Sequence, residues 1–141
     1  MTQEHLETIR RIEAAFNERD VEGVLAGMHP DVELELVGGF ADIMGQAIFN
    51  GVEGMRRFFT DWYATFKTVY TEEEQALEVG DQVLVLSRFR ATVEGSPVPV
   101  ELPIGSIFSF RGPKISRVAA YYDRNEALEA LGLSEELHAD S

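Results

Sequence analysis

The sequence predicts an α+β domain, and three observations predict it. Apolar residues recur at helical spacing three times in the first half of the chain, period-two runs fill the second half, and short Gly- and Pro-containing turns separate those runs. The 141 residues suit one domain with one sizeable core, expected over 1–133, with 134–141 a frayed tail.

The first helix is read from Leu6, Ile9, Ile12 and Phe16, which share a stripe, with Thr2 as its cap. Asn17-Glu-Arg-Asp20 breaks the pattern. Asp20 then caps a short second helix with Val21, Val24, Leu25 and Met28 on its buried face, and His29-Pro30 is expected to end it. Val32, Leu34 and Leu36 alternate with Asp31, Glu33 and Glu35, giving a first strand with one wet face.

Residues 37–50 mix Gly38, Gly39 and Gly45 with Phe40, Ile43, Met44, Ile48 and Phe49. That mixture reads either as a lid over a site or as an ordinary loop tucked against the core or a subunit contact. A third helix follows, with Asn50-x-x-Glu53 shaped like a capping box and a wide aromatic stripe of Met55, Phe58, Phe59, Trp62 and Phe66. Such a stripe is the face a helix lays on a sheet. Strands are expected over 69–79, 83–93, 98–110 and 115–122, joined by turns at Gly80-Asp81, Glu94 to Pro97 and Arg111 to Lys114. Consecutive strands with short turns pair antiparallel, which places the helices on one face.

Composition narrows the function. A formal charge of −13 with only 12 scattered basic residues disfavours nucleic acid, anionic lipid and anionic substrates as partners. No apolar run reaches the roughly 18 residues of a membrane span, and the N-terminus has neither the basic start nor the apolar run of a signal peptide, so a cytoplasmic protein is expected. There is no cysteine, hence no disulfide, thiol nucleophile or thiolate metal site. His5, His29 and His138 lack metal spacing. No metal and no cofactor are expected.

Three segments carry a family resemblance: Phe16-Asn-Glu-Arg-Asp20 with His29-Pro-Asp31; Gly51-Val-Glu-Gly-Met-Arg-Arg-Phe-Phe59; and Tyr122-Asp123 with Ala127-Leu-Glu-Ala-Leu-Gly132. With the order of elements, they resemble the SnoaL-like, polyketide cyclase-like branch of the NTF2-like superfamily over almost the whole chain. The resemblance implies a cone in which a strongly curved, mainly antiparallel sheet wraps N-terminal helices and leaves a cavity. In the ketosteroid isomerase-like branch, a strand aspartate removes a proton while a helix tyrosine and a protonated aspartic acid donate to the oxyanion. Those places fall on Leu36, Ile12 and Ser106, so that triad is missing and only Ser106 keeps a donor. The paired acids and arginine of limonene epoxide hydrolases have no match. The polyketide cyclase acid/base aspartate falls on Asp123, under the spacing to Leu131-Gly132.

Asp123 carries two readings. A carboxylate whose pKa is raised by burial can take a proton alpha to a carbonyl and return it, but Asp123-x-x-Glu126 is also a capping box for a closing helix. Tyr121 and Tyr122 point to opposite strand faces, and one of them would be the orienting hydroxyl. Arg88 and Arg90 share a face and are expected to pair with Glu101. Trp62 and Tyr63 carry polar tips that anchor a ring or orient a ligand.

The functional expectation is binding of a small apolar or aromatic molecule in a cavity lined by Leu36, Phe40, Met44, Met55, Phe59, Trp62, Ile104, Ser106 and Phe108, joined by Leu34. Cofactor-independent cyclisation, isomerisation or dehydration of a carbonyl compound is the enzymatic form of that expectation. Its alternative is a non-catalytic binding or dimerisation module. Val83, Leu84, Val85 and Leu86 show no wet side, which predicts a homodimer through the outer sheet face.

Overall fold

The computed structural model describes residues 2–133, Thr2 by its backbone alone. The Thr2 cap, the tail 134–141 and His138 lie outside the described residues. Helices α1 (Thr2–Asn17) and α2 (Val21–Leu25) lead into β1 (Met28–Val37); α3 (Gly39–Met44), β2 (Ile48–Asn50) and α4 (Gly51–Thr65) follow. Then come β3 (Thr68–Val79), β4 (Gln82–Thr92), β5 (Val100–Arg111), β6 (Lys114–Tyr121) and α5 (Arg124–Ala130). One curved six-stranded sheet in the order β2-β1-β6-β5-β4-β3 wraps the helices as an NTF2-like cone. Its pairs are antiparallel except β1 with β6, which run parallel.

The Phe16 to Asp20 motif is a fastening. Asn17 brackets the backbone of Thr71, donating to its carbonyl and accepting from its N–H at 2.9 Å each. Arg19, in the left-handed region at φ 61, donates to the carbonyls of Phe66 and Lys67 at 3.0 and 2.8 Å, and so closes the end of α4. Asp20 caps α2 by accepting from Gly23 N at 3.0 Å. Three short polar reaches tie α1, α2, α4 and β3 into one frame.

Several expectations need correction. Helix α2 stops at Leu25, and His29-Pro30 lies inside β1 rather than ending the helix; the register between Met28 and Glu33 is irregular there, which lets a residue without an N–H sit in a strand. The segment 37–50 is tucked against the core, but as regular structure rather than a loop: Phe40 pulls α3 into the core at 3 % exposure and β2 pairs with β1. Asn50 holds the N-cap position of α4 at the end of β2, but its side chain makes no capping bond. Glu53 reaches Arg56 instead, at 3.5 Å.

Two apolar layers lie on opposite sheet faces. On the concave face Ile9, Ile12, Met55, Phe58, Phe59 and Trp62 meet Val83, Val85 and Phe89. On the convex face α5 covers Leu84, Leu86, Ile107 and Ala119 with Ala127 and Leu128. Helices therefore occupy both faces, and the run 83–86 lacks a wet side because each face is covered within the chain. The apolar ground for an outer-face homodimer is thereby removed. Beyond α5 that face carries ion pairs, Arg90 with Glu101 at 2.7 Å and with Glu72 at 3.1 Å, and Arg88 with Glu74 at 3.5 Å.

Seating α5 requires Gly105, where a Cβ would come 2.7 Å from the Ala127 Cβ. Arg124, 6 % exposed, passes beneath the helix and donates to Ser87 O at 2.7 Å, Ile104 O at 3.2 Å and Glu74 at 2.6 Å. Among the described residues no helix is long and apolar enough to cross a membrane.

Candidate functional site

Between α1, α4 and the concave sheet lies a cavity of about 150 Å³, the size of engineered cavities that take up benzene. Its wall is built from Ile9, Ile12, Glu13 and Phe16 on α1; Leu34 and Leu36 on β1; Phe40 on α3; and Met55, Phe58, Phe59 and Trp62 on α4. The sheet adds Thr71, Val85, Ser87, Phe89, Ile104, Ser106, Phe108, Val118 and Ala120. These side chains alternate along their strands, so each strand gives every second residue to the cavity.

Leu36, Phe40, Met55, Phe59, Trp62, Ile104, Ser106 and Phe108, all expected in the wall, are there. Met44 is not: at the end of α3 it packs on the core without reaching the cavity. Ile12, Leu36 and Ser106, the places of the isomerase-like triad, all line the cavity, and two of them are apolar.

The residues expected to do chemistry lie elsewhere. Asp123 is exposed and outside the wall, and its carboxylate accepts from Asn125 N at 2.9 Å as the N-cap of α5. Leu131 and Gly132 end the same helix, Gly132 at φ 72 and the Leu133 N–H bonded to Leu128 O at 2.8 Å. The Asp123 to Leu131-Gly132 spacing is thus the length of one capped helix. Tyr121 faces outward against α5, and burial with Glu35 nearby raises its phenol above the ordinary range. Tyr122 faces inward but stands behind the wall, its ring filling the space a side chain at Gly39 would take and meeting Phe40 edge-on at 5.2 Å. Tyr63 is a structural anchor: its hydroxyl donates to Phe16 O at 2.8 Å, and burial pushes its pKa up to about 12.

Among the described residues Glu13 is the one ionisable side chain in the wall, and nothing in the expected site included it. Burial, reinforced by the Glu73 carboxylate and opposed by Arg10, pushes its pKa up to about 7. Arg10 is engaged by Glu73 through two hydrogen bonds of 3.2 and 2.9 Å, which leaves Glu73 to act on Glu13 alongside a guanidinium already partnered. The signal was present in the sequence: Glu13 stands four residues after Ile9 and three before Phe16, so it lies on the apolar stripe of α1.

The remaining polar groups of the wall are hydroxyls of Thr71, Ser87 and Ser106, and the Trp62 indole. Trp62 Nε1 has no acceptor among the described residues and exposes less than 1 Å², so the ring shows the cavity its carbon surface. Aromatic contacts hold it there, with Phe66 at 4.8 Å, Phe58 at 5.1 Å and Phe40 at 5.5 Å between ring centres. No group of three or more metal-ligating side chains occurs among the described residues. His5 stacks on Phe110 at 3.7 Å, and His29 accepts from the Asp31 N–H at 3.0 Å.

Residues 9–118 match the SnoaL-like domain family. The chain belongs to that family. Solved structures place this SnoaL-like protein among NTF2-like cones. It is similar to TerC co-crystallised with polyporic acid, at 25 % identity and a TM-score of 0.78 over 92 % of this chain and 98 % of that one. An NTF2-like protein of unknown function from Burkholderia pseudomallei K96243 shares 20 % identity with a TM-score of 0.79, over 93 % and 99 % of the two chains. A protein assigned as a SnoaL-like polyketide cyclase from Jannaschia sp. CCS1 shares 16 % identity with a TM-score of 0.72, over 91 % of each chain. No curated protein sequence matches the chain.

Proposed function

We propose that this SnoaL-like domain binds a small, largely apolar molecule in the cone cavity and that Glu13 exchanges a proton with it. The observation that carries the reading is a lone carboxyl, with a pKa of about 7, in an otherwise uncharged and mainly aromatic wall. A group half-ionised near neutrality is suited to take a proton and give it back, which is what cofactor-independent isomerisation, cyclisation or dehydration of a carbonyl compound requires. The likeness to TerC, co-crystallised with polyporic acid, supports a small organic guest. Asp123 keeps the role of a helix cap.

Trp62 is the single tryptophan and stands in the wall, so its fluorescence reports occupancy. Titration with benzene and with cyclopentanone is expected to give a saturable change that Ala120→Leu, which fills the cavity, removes. A linear, unsaturable response in the parent chain sinks the binding reading. For the proton transfer, the parent is expected to speed deuterium exchange at the carbon beside the cyclopentanone carbonyl. Glu13→Gln should lose that activity and Asp123→Asn should keep it. The opposite pattern returns the acid/base role to Asp123, and no exchange in the parent leaves a non-catalytic binding module.

A further inference from the structure

We propose that the natural guest of this cavity is a small ring compound bearing a cationic nitrogen, an amine or an iminium, with Glu13 as its counter-ion. The inference rests on the binding reading above and adds the charge class of the guest. The charged groups acting on Glu13 are Glu73, from β3, and Arg10, from α1 itself. Glu73 engages Arg10 with both carboxylate oxygens. The wall residues from β1, α3, α4, β4, β5 and β6 carry no charge. An anion entering would meet the Glu13 carboxyl and no cation in the described wall, whereas a cation would meet Glu13 as its counter-charge, the Glu73 and Arg10 charges outside the wall being paired with each other.

The rest of the wall favours the same sign. Phe16, Phe58, Phe59, Trp62 and Phe89 surround the space, and aromatic faces attract cations, more so when water is excluded. The Trp62 N–H is sealed off from the cavity, so the indole offers no donor to an incoming oxyanion. A formal charge of −13 draws cations toward the chain before they enter.

Such a guest also simplifies the proton transfer. In an iminium, Glu13 takes the proton from the carbon beside C=N⁺; the C–H pair becomes the new C=C bond, and the C=N π pair passes to nitrogen. The products are a neutral enamine and a neutral carboxyl, and return of the proton to carbon reverses the step. Opposite charges are cancelled inside an apolar space, where isolated charge is costly. An enolate would instead have to be held in that space as an anion, with only hydroxyls to receive it.

The test compares cyclopentylamine, cyclopentanol and cyclobutanecarboxylate, ring compounds of similar size, by calorimetric titration. An aliphatic amine stays protonated throughout the range used. At about pH 8, where Glu13 is mostly ionised, the amine is expected to bind about tenfold more tightly than the alcohol. The carboxylate should not bind. The preference should vanish in the parent chain at about pH 5.5, where Glu13 holds its proton, and in Glu13→Gln at the higher pH. Equal or tighter binding of the alcohol at the higher pH overturns the inference while the cavity-binding reading stands. An amine preference that persists in a folded Glu13→Gln, judged by near-UV circular dichroism, overturns it too, and binding of none of the three removes both readings. The pH comparison on the parent does not depend on the variant folding.

Discussion

The two faces of the sheet are both covered by helices, yet they are finished differently. On the convex face α5 sits so close that Gly105 leaves no room for a methyl, and Arg124 fills its polar needs with Ser87 O, Ile104 O and Glu74. On the concave face α1 and α4 are aromatic and bulky, and they leave about 150 Å³ unfilled beside a carboxyl. Each face has one acid that sequence reasoning must judge. Asp123 on the convex side is exposed and caps a helix, whereas Glu13 on the concave side is desolvated and has its proton affinity raised. Burial, rather than placement at an element boundary, makes a carboxyl chemically interesting.

Substitutions on the two faces should separate closure from cavity. Arg124→Leu is expected to cost about 3 kcal/mol, because two buried carbonyls lose its hydrogen bonds and Glu74 keeps only its longer pair with Arg88; urea denaturation measures it, and a loss below about 1 kcal/mol would show that α5 is only loosely seated. Ala120→Leu is expected to weaken binding of a neutral ring more than tenfold while stability moves by less than about 1.5 kcal/mol. Equal affinity in parent and variant would mean that the cavity is not where rings bind.

Glu13→Gln tests the concave carboxyl by pH. Its folded pKa lies above the ordinary value of 4.5, at about 7, so the folded chain holds a proton there that the unfolded chain releases. Stability from this group is therefore present below the unfolded value and is lost as pH rises through about 7. The variant should melt with the parent at about pH 4 and above it at about pH 8, by on the order of 1 kcal/mol after allowance for partial exposure. Thermal melts across that range check it, and parallel curves would place Glu13 in water. The smallest effects belong to Asp123: Asp123→Ala should cost about 1 kcal/mol and Asp123→Asn only a few tenths, as for any helix cap. Neither should change guest binding, and a binding change with either would reopen a cavity role.

Much of the cone was legible. Helical spacing located α1 and α4, period-two runs with glycine turns located β3 to β6, and the stripe of α4 supplied Met55, Phe58, Phe59 and Trp62 to the cavity wall. What escaped depended on partners far apart in sequence. The run 83–86 looked like an unpaired surface because the helix that covers Leu84 and Leu86 begins some forty residues later. The segment 37–50 left lid and tucked loop both open because its three glycines hide how firmly a single anchor, Phe40, is held once Trp62, Phe89 and Tyr122 surround it. Glu13 was passed over because acids abound on α1, and only its place on the apolar stripe distinguishes it. The Asp123 to Gly132 spacing is real, but it measures a helix rather than a reaction.

The cavity should also be felt mechanically. The volume change on unfolding scales with the internal space that unfolding abolishes, without being equal to it. Unfolding abolishes that space, so compression should favour the unfolded chain and make this domain sensitive to hydrostatic pressure for its size. A guest that occupies the space would remove most of that susceptibility, and resistance to a few kilobars would then register occupancy without any label, absorbance or turnover.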